Sequence, residues 1–153
     1  GYAEVSGDAR VSGYARVSGY ARVSGYARVS GNARVYGEAE VYGNAWVSGN
    51  AWVSGNARVS GEARVYGEAE VYGEAEVYGN AWVSSSKDYI VFKNHWSSGR
   101  HFTYTKSNKM WKVGCFYGTG AELIAKAYKD SEASGKHYES YVNLVLELEK
   151  IDG

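Results

Sequence analysis

Residues 25–42 read GYARVSGNARVYGEAEVY, three copies of the unit Gly-x-Ala-x-Val-(Ser/Tyr). The same unit runs without insertion from Gly1 to Ser84, so that fourteen hexads follow one another. Alanine and valine lie two positions apart, which is the spacing of side chains on one face of a β-strand. Glycine, which allows backbone angles closed to other residues, marks a corner in each hexad. Short strands separated by single-glycine corners predict a parallel β-solenoid with one hexad on each side.

The order of aliphatic and small residues in these hexads resembles the hexapeptide repeat of left-handed parallel β-helix proteins. Valine takes the place of the aliphatic residue and alanine that of the small residue, through all of residues 1–84. The resemblance implies an all-β solenoid with three hexads per coil, so that residues 18 apart stack on one another. A disordered low-complexity tract is the alternative, but it gives no reason for fourteen valines at one phase.

A coil of three hexads places the outward residues in three columns. The column on the first side alternates in charge and consists of Glu4, Arg22, Glu40, Arg58 and Glu76. The second side has Arg10, Arg28, Trp46, Arg64 and Trp82, and the third side has Arg16, Arg34, Trp52 and Glu70. Because like charges directly opposite one another destabilise a sheet, the alternation on the first side supports the three-hexad coil. We interpret the Arg, Trp and Tyr columns as stacking between coils, with a flat aromatic and basic face for a partner as the alternative.

The composition changes after Ser84, and we call residues 85–153 the head. Alternating apolar residues predict three strands, at 88–96, 101–105 and 110–117, separated by polar turns. Apolar stripes then predict two helices, at about 121–129 and 136–151, with a loop at 130–135. The head is therefore expected to be a small α+β domain, a three-strand antiparallel meander with two helices. An open solenoid end exposes strand edges, so capping that end is one expected task of the head.

Basic side chains concentrate in the predicted sheet of the head, with six basic residues and one acidic residue between Lys87 and Lys112. Alternation assigns Ile90, Phe92, Phe102, Tyr104, Trp111 and Val113 to the core face. The opposite face and its turn supply the candidate ligand-binding residues, which are Lys93, His95, Arg100, His101, Thr103 and Lys112. Basic and hydroxyl side chains beside a Ser-Ser-Gly-Arg loop favour a nucleotide or another phosphate-bearing ligand. A solvated sheet face without a ligand is the alternative.

The single cysteine, Cys115, falls on the predicted core face with Trp111 and Val113. We therefore expect a buried structural thiol rather than a nucleophile activated by His95 or His101. These two histidines lack a third ligand, so the sequence predicts no metal site and no cofactor.

Many hexapeptide-repeat proteins are acyltransferases, and the resemblance implies that activity as an alternative function. Its site would include His95 or His101 at a subunit boundary. Residues 1–84 contain no His, Cys or Lys and no inserted loop, so no catalytic residue is predicted there.

The 153 residues have a formal net charge of zero, which gives no signal for nucleic acid or for an anionic membrane. No apolar run approaches the ~18 residues of a membrane-spanning helix. One cysteine fits a reducing compartment, and we expect a cytoplasmic location in a bacterial host or a phage-infected cell. The sequence starts inside the repeat without an initiator methionine, so we expect natural sequence upstream of Gly1.

A Gly-x-Ala-x-Val tract before a short Trp/Tyr-rich tail loosely resembles uncharacterised bacterial and phage or prophage proteins, a resemblance that implies no defined activity. Our leading hypothesis is a non-enzymatic scaffold, a rigid β-helix presenting a head that recognises a protein or a phosphate-bearing ligand. In a phage setting, its task would be accessory, such as countering host defence. A third hypothesis is a purely structural protein that self-assembles through the ends or faces of its solenoid.

Overall fold

The computed structural model describes residues 3–152 of the chain. Its first part contains fourteen strands of two residues each, one per hexad. These strands, β1 to β14 in chain order, are Glu4–Val5, Arg10–Val11, Arg16–Val17, Arg22–Val23, Arg28–Val29, Arg34–Val35, Glu40–Val41, Trp46–Val47, Trp52–Val53, Arg58–Val59, Arg64–Val65, Glu70–Val71, Glu76–Val77 and Trp82–Val83.

Every third strand pairs in parallel, which gives the solenoid three flat sides and about four turns. The sheet orders are β1-β4-β7-β10-β13, β2-β5-β8-β11-β14 and β3-β6-β9-β12. On the first side Arg22 lies opposite Glu4 and Glu40, and Arg58 lies opposite Glu40 and Glu76. Residues 18 apart therefore stack, and both the three-hexad coil and the Glu/Arg column are confirmed.

Valine and alanine fill the interior of the solenoid. From Ala21 to Val83 every residue of these two types in the repeat is fully buried. The corners turn at glycines with positive φ, between 63° and 70°. At Gly55 the backbone of the next coil also comes close, because a Cβ there would lie 2.8 Å from the amide nitrogen of Gly73. Glycine is thus required at such a corner both for its conformation and for its small size.

The head begins with a 3-10 turn, Ser86–Asp88, followed by a four-stranded antiparallel sheet in the order β15-β16-β17-β18. The strands are Tyr89–Lys93, His101–Thr105, Met110–Val113 and Phe116–Thr119, and the helices are α1, Gly120–Asp130, and α2, Glu132–Asp152. Phe102, Tyr104 and Trp111 are buried against Leu123, Val142 and other helical residues. The predicted core face of the sheet is therefore confirmed.

The sheet has four strands where the sequence predicted three. The expected strand at 110–117 is interrupted by a two-residue turn at Gly114 and Cys115, and Val113 pairs with Phe116 across it. Gly114 has a φ of 55°, a positive angle that tight hairpin turns require and that glycine adopts most readily. The turn also leaves Cys115 exposed, so the prediction of a buried thiol is wrong.

The helices are longer than predicted, and the loop expected at 130–135 is wrong. Ser131 alone separates α1 from α2. Gly135 lies inside α2 and is buried, and the ring of Tyr128 fills the space that a Cβ would need. This glycine therefore allows two helices to approach closely, although in the sequence it resembled a loop residue.

The second face of the head sheet lies on the last coil of the solenoid. The hydroxyl of Tyr89 donates to the carbonyl of Glu70 at 2.8 Å and accepts from the N–H of Tyr72 at 3.4 Å, on the third side. On the first side Thr103 Oγ1 accepts from the N–H of Glu76 at 2.9 Å.

The second side is covered in the same way, since Ser107 Oγ accepts from the N–H of Trp82 at 2.8 Å. In earlier coils the equivalent N–H groups donate to a carbonyl of the next coil, as Arg58 does to Ala75 at 2.9 Å. Three hydroxyls of the head thus stand where a further coil would place its carbonyls, one on each side.

Candidate functional site

The six candidate residues of the head do not form one site. Thr103 is 1% exposed, and its hydroxyl is committed to the last coil. The Lys112 ammonium lies 3.9 Å from a carboxylate oxygen of Glu76 and 5.1 Å from the ring centroid of Tyr78. The open basic face expected for these two side chains is instead a contact with the solenoid, because the apolar Val/Ala end of the coil needs cover.

The other four candidates lie around one edge of the head. Lys93 and His101 pair across β15 and β16 at the end of their hairpin. The segment that joins these strands contains His95 and Arg100, both exposed. Thr103 and Lys112 thus contact the solenoid, whereas these four residues lie around the edge of the head.

A histidine that is not among the six candidate residues packs beside this edge. The ring of His137, from α2, stacks on Trp96 with centroids 4.3 Å apart, and His95 lies 5.5 Å from His137. His137 Nδ1 is 2.7 Å from the carbonyl of Ala133, so this nitrogen carries the proton and donates. The only sequence signal was that His137 comes one position before Tyr138, the first residue of the apolar stripe of α2. Among residues 3–152, no group of three His, Cys, Asp or Glu side chains is placed to hold a metal ion.

An open cleft of about 520 Å³ lies between α1 and the turn joining β17 to β18. Arg100, Cys115 and Lys126 line it, together with the phenol of Tyr138. Burial raises the pKa of Tyr138, and the negative charge of Asp130 adds to this rise, while a hydrogen bond with Asn94 and the positive charges of Arg100 and Lys126 act in the opposite direction. Two cations, the carboxylate of Asp130, a neutral phenol and an exposed thiol thus share one cleft.

The position of Arg100 in this cleft depends on Gly114. The Arg100 guanidinium occupies the space that a Cβ on Gly114 would take. Lys126 has a carboxylate partner within its own helix, Asp130, at 3.2 Å. Arg100 makes no salt bridge within residues 3–152, and so its guanidinium is available to an anion.

The second side of the solenoid forms an aromatic and basic face. The guanidinium of Arg64 lies 4.8 Å from the ring centroid of Trp46 and 5.9 Å from that of Trp82. The guanidinium of Arg28, one coil before Trp46, lies 5.3 Å from the centroid of the same ring. The stacking between coils predicted from the columns is therefore confirmed. Trp46 and Trp82 remain 40% and 52% exposed, so the same face still offers indole surface to solvent.

Neither helix in the described part of the chain is long and apolar enough to cross a membrane.

A family model described as the YdcK beta solenoid repeat matches residues 3–19, 27–40, 39–55 and 51–67, all within the solenoid. No curated protein and no solved structure matched the chain. The repeat matches agree with the observed β-solenoid, and the chain contains a β-solenoid repeat.

Proposed function

We propose that the protein is a non-enzymatic binding scaffold, in which a rigid solenoid holds the head in a fixed orientation and the head binds a phosphate-bearing ligand. The observation that carries this proposal is the three-sided contact formed by Tyr89, Thr103 and Ser107. A domain joined only by a linker has no such contact and moves relative to its neighbour. Here one hydrogen-bonding hydroxyl on each side opposes rotation of the head about the solenoid axis.

The cleft beside Arg100 is the binding surface that we propose for the head. A guanidinium without a carboxylate partner binds phosphate oxygens through two parallel N–H donors, and Lys126 adds a second donor by exchanging its Asp130 partner for the phosphate. The phenol of Tyr138 keeps its proton at neutral pH, since its ordinary pKa of 10.0 is raised further by burial, and it is able to donate to a phosphate oxygen. The cellular setting that we propose is bacterial or phage-infected cytoplasm, where such a scaffold would serve an accessory or anti-defence role.

The exposed thiol in this cleft provides a direct assay. Pyrophosphate and a set of nucleoside diphosphates, used as probes, should slow the reaction of Cys115 with a neutral maleimide. Arg100→Ala should abolish this protection, whereas Lys93→Ala, which removes an exposed cation outside the cleft, should preserve it.

Equal labelling rates with and without every probe would contradict the phosphate proposal. A probe that protects Cys115 equally in wild type and Arg100→Ala would contradict the assigned role of Arg100. Acyl transfer from acetyl-coenzyme A that depends on His95 or His101 would instead support the acyltransferase-like alternative.

A further inference from the structure

The third side of the solenoid exposes two ordered columns of side chains. The outer column runs Arg16, Arg34, Trp52, Glu70, with strands β3, β6, β9 and β12 in register. The second column, two residues further along each hexad, runs Ser18, Tyr36, Ser54, Tyr72. No member of either column is buried, and Trp52 and Tyr72 are 38% and 56% exposed.

The outer column is complementary in charge to the same column of a second copy that runs in the opposite direction. When a second copy faces this side with its solenoid axis reversed, Arg16 lies opposite Glu70 of that copy. Arg34 lies opposite Trp52 of that copy, and symmetry repeats both pairs. All four positions then pair cation with carboxylate or guanidinium with indole, both of which are favourable contacts.

The second column is complementary in side-chain size to the same column of the reversed copy. In the reversed arrangement Ser18 faces Tyr72 of the second copy, and Tyr36 faces Ser54. A small side chain therefore meets a large one at all four positions, which lets two flat sides interdigitate.

One symmetry operation satisfies both columns together. A two-fold axis parallel to the strands reverses the solenoid axis while keeping each column opposite itself, as a closed, isologous dimer requires. A two-fold axis along the solenoid would keep the two copies level, with Arg16 at the height of Arg16 of the second copy and Glu70 at the height of Glu70. Charge thus selects the antiparallel arrangement.

Each chain leaves the charges of Arg16 and Glu70 without partners among its described residues, whereas the guanidinium of Arg34 already lies 5.4 Å from the ring centroid of Trp52 in the same chain. Arg16 and Arg34 lie directly opposite one another, a like-charge pair that costs stability. Within residues 3–152 neither Arg16 nor Glu70 makes a side-chain salt bridge, whereas Arg58 pairs with Glu40 on the first side at 3.7 Å. Residues 1–36 contain five Arg and two acidic residues, and residues 37–84 contain two Arg and seven acidic residues. Two antiparallel solenoids therefore bring opposite charge together along their length.

The other two sides lack this property at full overlap. On the second side reversal places Arg28 opposite Arg64, and on the first side it places Glu4 opposite Glu76. A shift by one coil would pair unlike charges on the first side, so a charge reversal on that side serves as a control.

We propose that the third side is a homodimer interface, on which a second copy of this chain docks with its solenoid axis reversed. Four strands at a spacing of ~4.8 Å give a contact about 15 Å long and one hexad wide. Such a face falls below the ~1,200 Å² of total buried area typical of stable complexes, which indicates weak association that depends on concentration and salt.

Sedimentation velocity from low micromolar to millimolar concentration tests the dimer. We expect wild type to pass from monomer to dimer across this range, and R16E and E70R each to remain monomeric. An equimolar mixture of R16E and E70R should dimerise again, because both cross-pairs then join unlike charges. R22E, on the first side, should dimerise like wild type.

Restoration in the mixture also shows that both variants are folded. A wild type that stays monomeric at the highest concentration overturns the proposal. So does a dimer that survives both single reversals, or a mixture of monomeric variants that fails to associate. A dimer lost in R22E but retained in R16E would assign the interface to the first side instead.

Discussion

The hydroxyl of Thr103 accepts a hydrogen bond of 2.9 Å from the backbone N–H of Glu76. For the equivalent N–H groups of the earlier coils on the first side, the acceptor is a backbone carbonyl of the following coil. Parallel coils stack because each leaves donors for the next, and the same donors would recruit another strand edge if they stayed open. A single side-chain oxygen satisfies the donor without presenting a new edge. The head thus covers the last coil of the solenoid and also satisfies a backbone donor that the coil leaves open.

Replacing Thr103 by valine should destabilise the protein. Valine keeps the buried volume but leaves the N–H of Glu76 without an acceptor, which costs about 1–3 kcal/mol in a buried setting. Urea unfolding measures the loss, and hydrogen exchange at the Glu76 amide should accelerate. Thr103→Ser, which retains the hydroxyl, is the matched control. Equal stability of the valine and serine variants would show that this hydrogen bond contributes nothing.

Two corner glycines with the same backbone angle allow strain and steric contact to be separated. Gly55 and Gly73 have φ values of 64° and 65°. A Cβ at Gly55 would lie 2.8 Å from the Gly73 nitrogen, whereas a Cβ at Gly73 meets nothing within 4 Å. Gly73→Ala should cost about 1–2 kcal/mol for the left-handed conformation alone.

Gly55→Ala should cost more than Gly73→Ala, because the neighbouring coil must also shift. The difference between the two free energies of unfolding, measured in urea, is the steric contribution of coil stacking. If both variants lose the same stability, the coils are less tightly stacked than these distances indicate.

The solenoid was predictable from sequence because the charges of its outward residues follow a regular order when every third hexad is compared. Glu4, Arg22 and Glu40 alternate only when residues 18 apart are compared. The head was harder to predict because its decisive residues act through tertiary contact. Gly114 turns a hairpin inside what looked like one strand, and Gly135 admits the ring of Tyr128. Alternation placed Thr103 correctly on the face opposite the core, but it had no means of showing that the solenoid covers that face.

The outward columns of the first and second sides predict opposite effects for two arginine substitutions. Arg58→Glu places one further carboxylate between Glu40 and Glu76, so that three lie in register, and should cost about 0.5–1 kcal/mol at low salt. Arg10→Glu, on the second side, replaces a like-charge pair with Arg28 by an opposite-charge pair and should be neutral or stabilising.

Added salt should shrink both effects, since the side chains are exposed. Thermal unfolding at low and high ionic strength measures them together. A destabilising effect of Arg10→Glu equal to that of Arg58→Glu would mean that the columns do not govern the energetics.

Cys115 should react with a thiol reagent in the folded protein. It lies exposed in the turn between β17 and β18, and so no unfolding step is needed for access. The labelling rate in buffer should approach the rate in denaturant, and Cys115→Ser should abolish labelling. A rate limited by global unfolding would restore the buried thiol expected from sequence.

The carboxylate of Glu149 should make the head sensitive to acid. Burial alone raises the pKa of Glu149, but hydrogen bonds from Tyr104 and Lys109 and the charges of Lys109 and Lys106 outweigh it, so that its pKa lies below the usual value of 4.5. A carboxylate with a lowered folded-state pKa stabilises the fold fully above its unfolded pKa. That stabilisation is lost as the pH falls through the folded-state pKa.

Glu149→Gln removes this titration while keeping the side-chain shape. Urea unfolding should show the variant less stable than wild type at pH 7, with the gap narrowing below about pH 4.5 as wild-type Glu149 takes up its proton. Glu147→Gln, on an exposed position of the same helix, controls for the loss of one carboxylate. A gap that stays constant down to pH 3 would assign the effect of Glu149→Gln to lost packing, because only an ionised Glu149 accepts from both Tyr104 and Lys109.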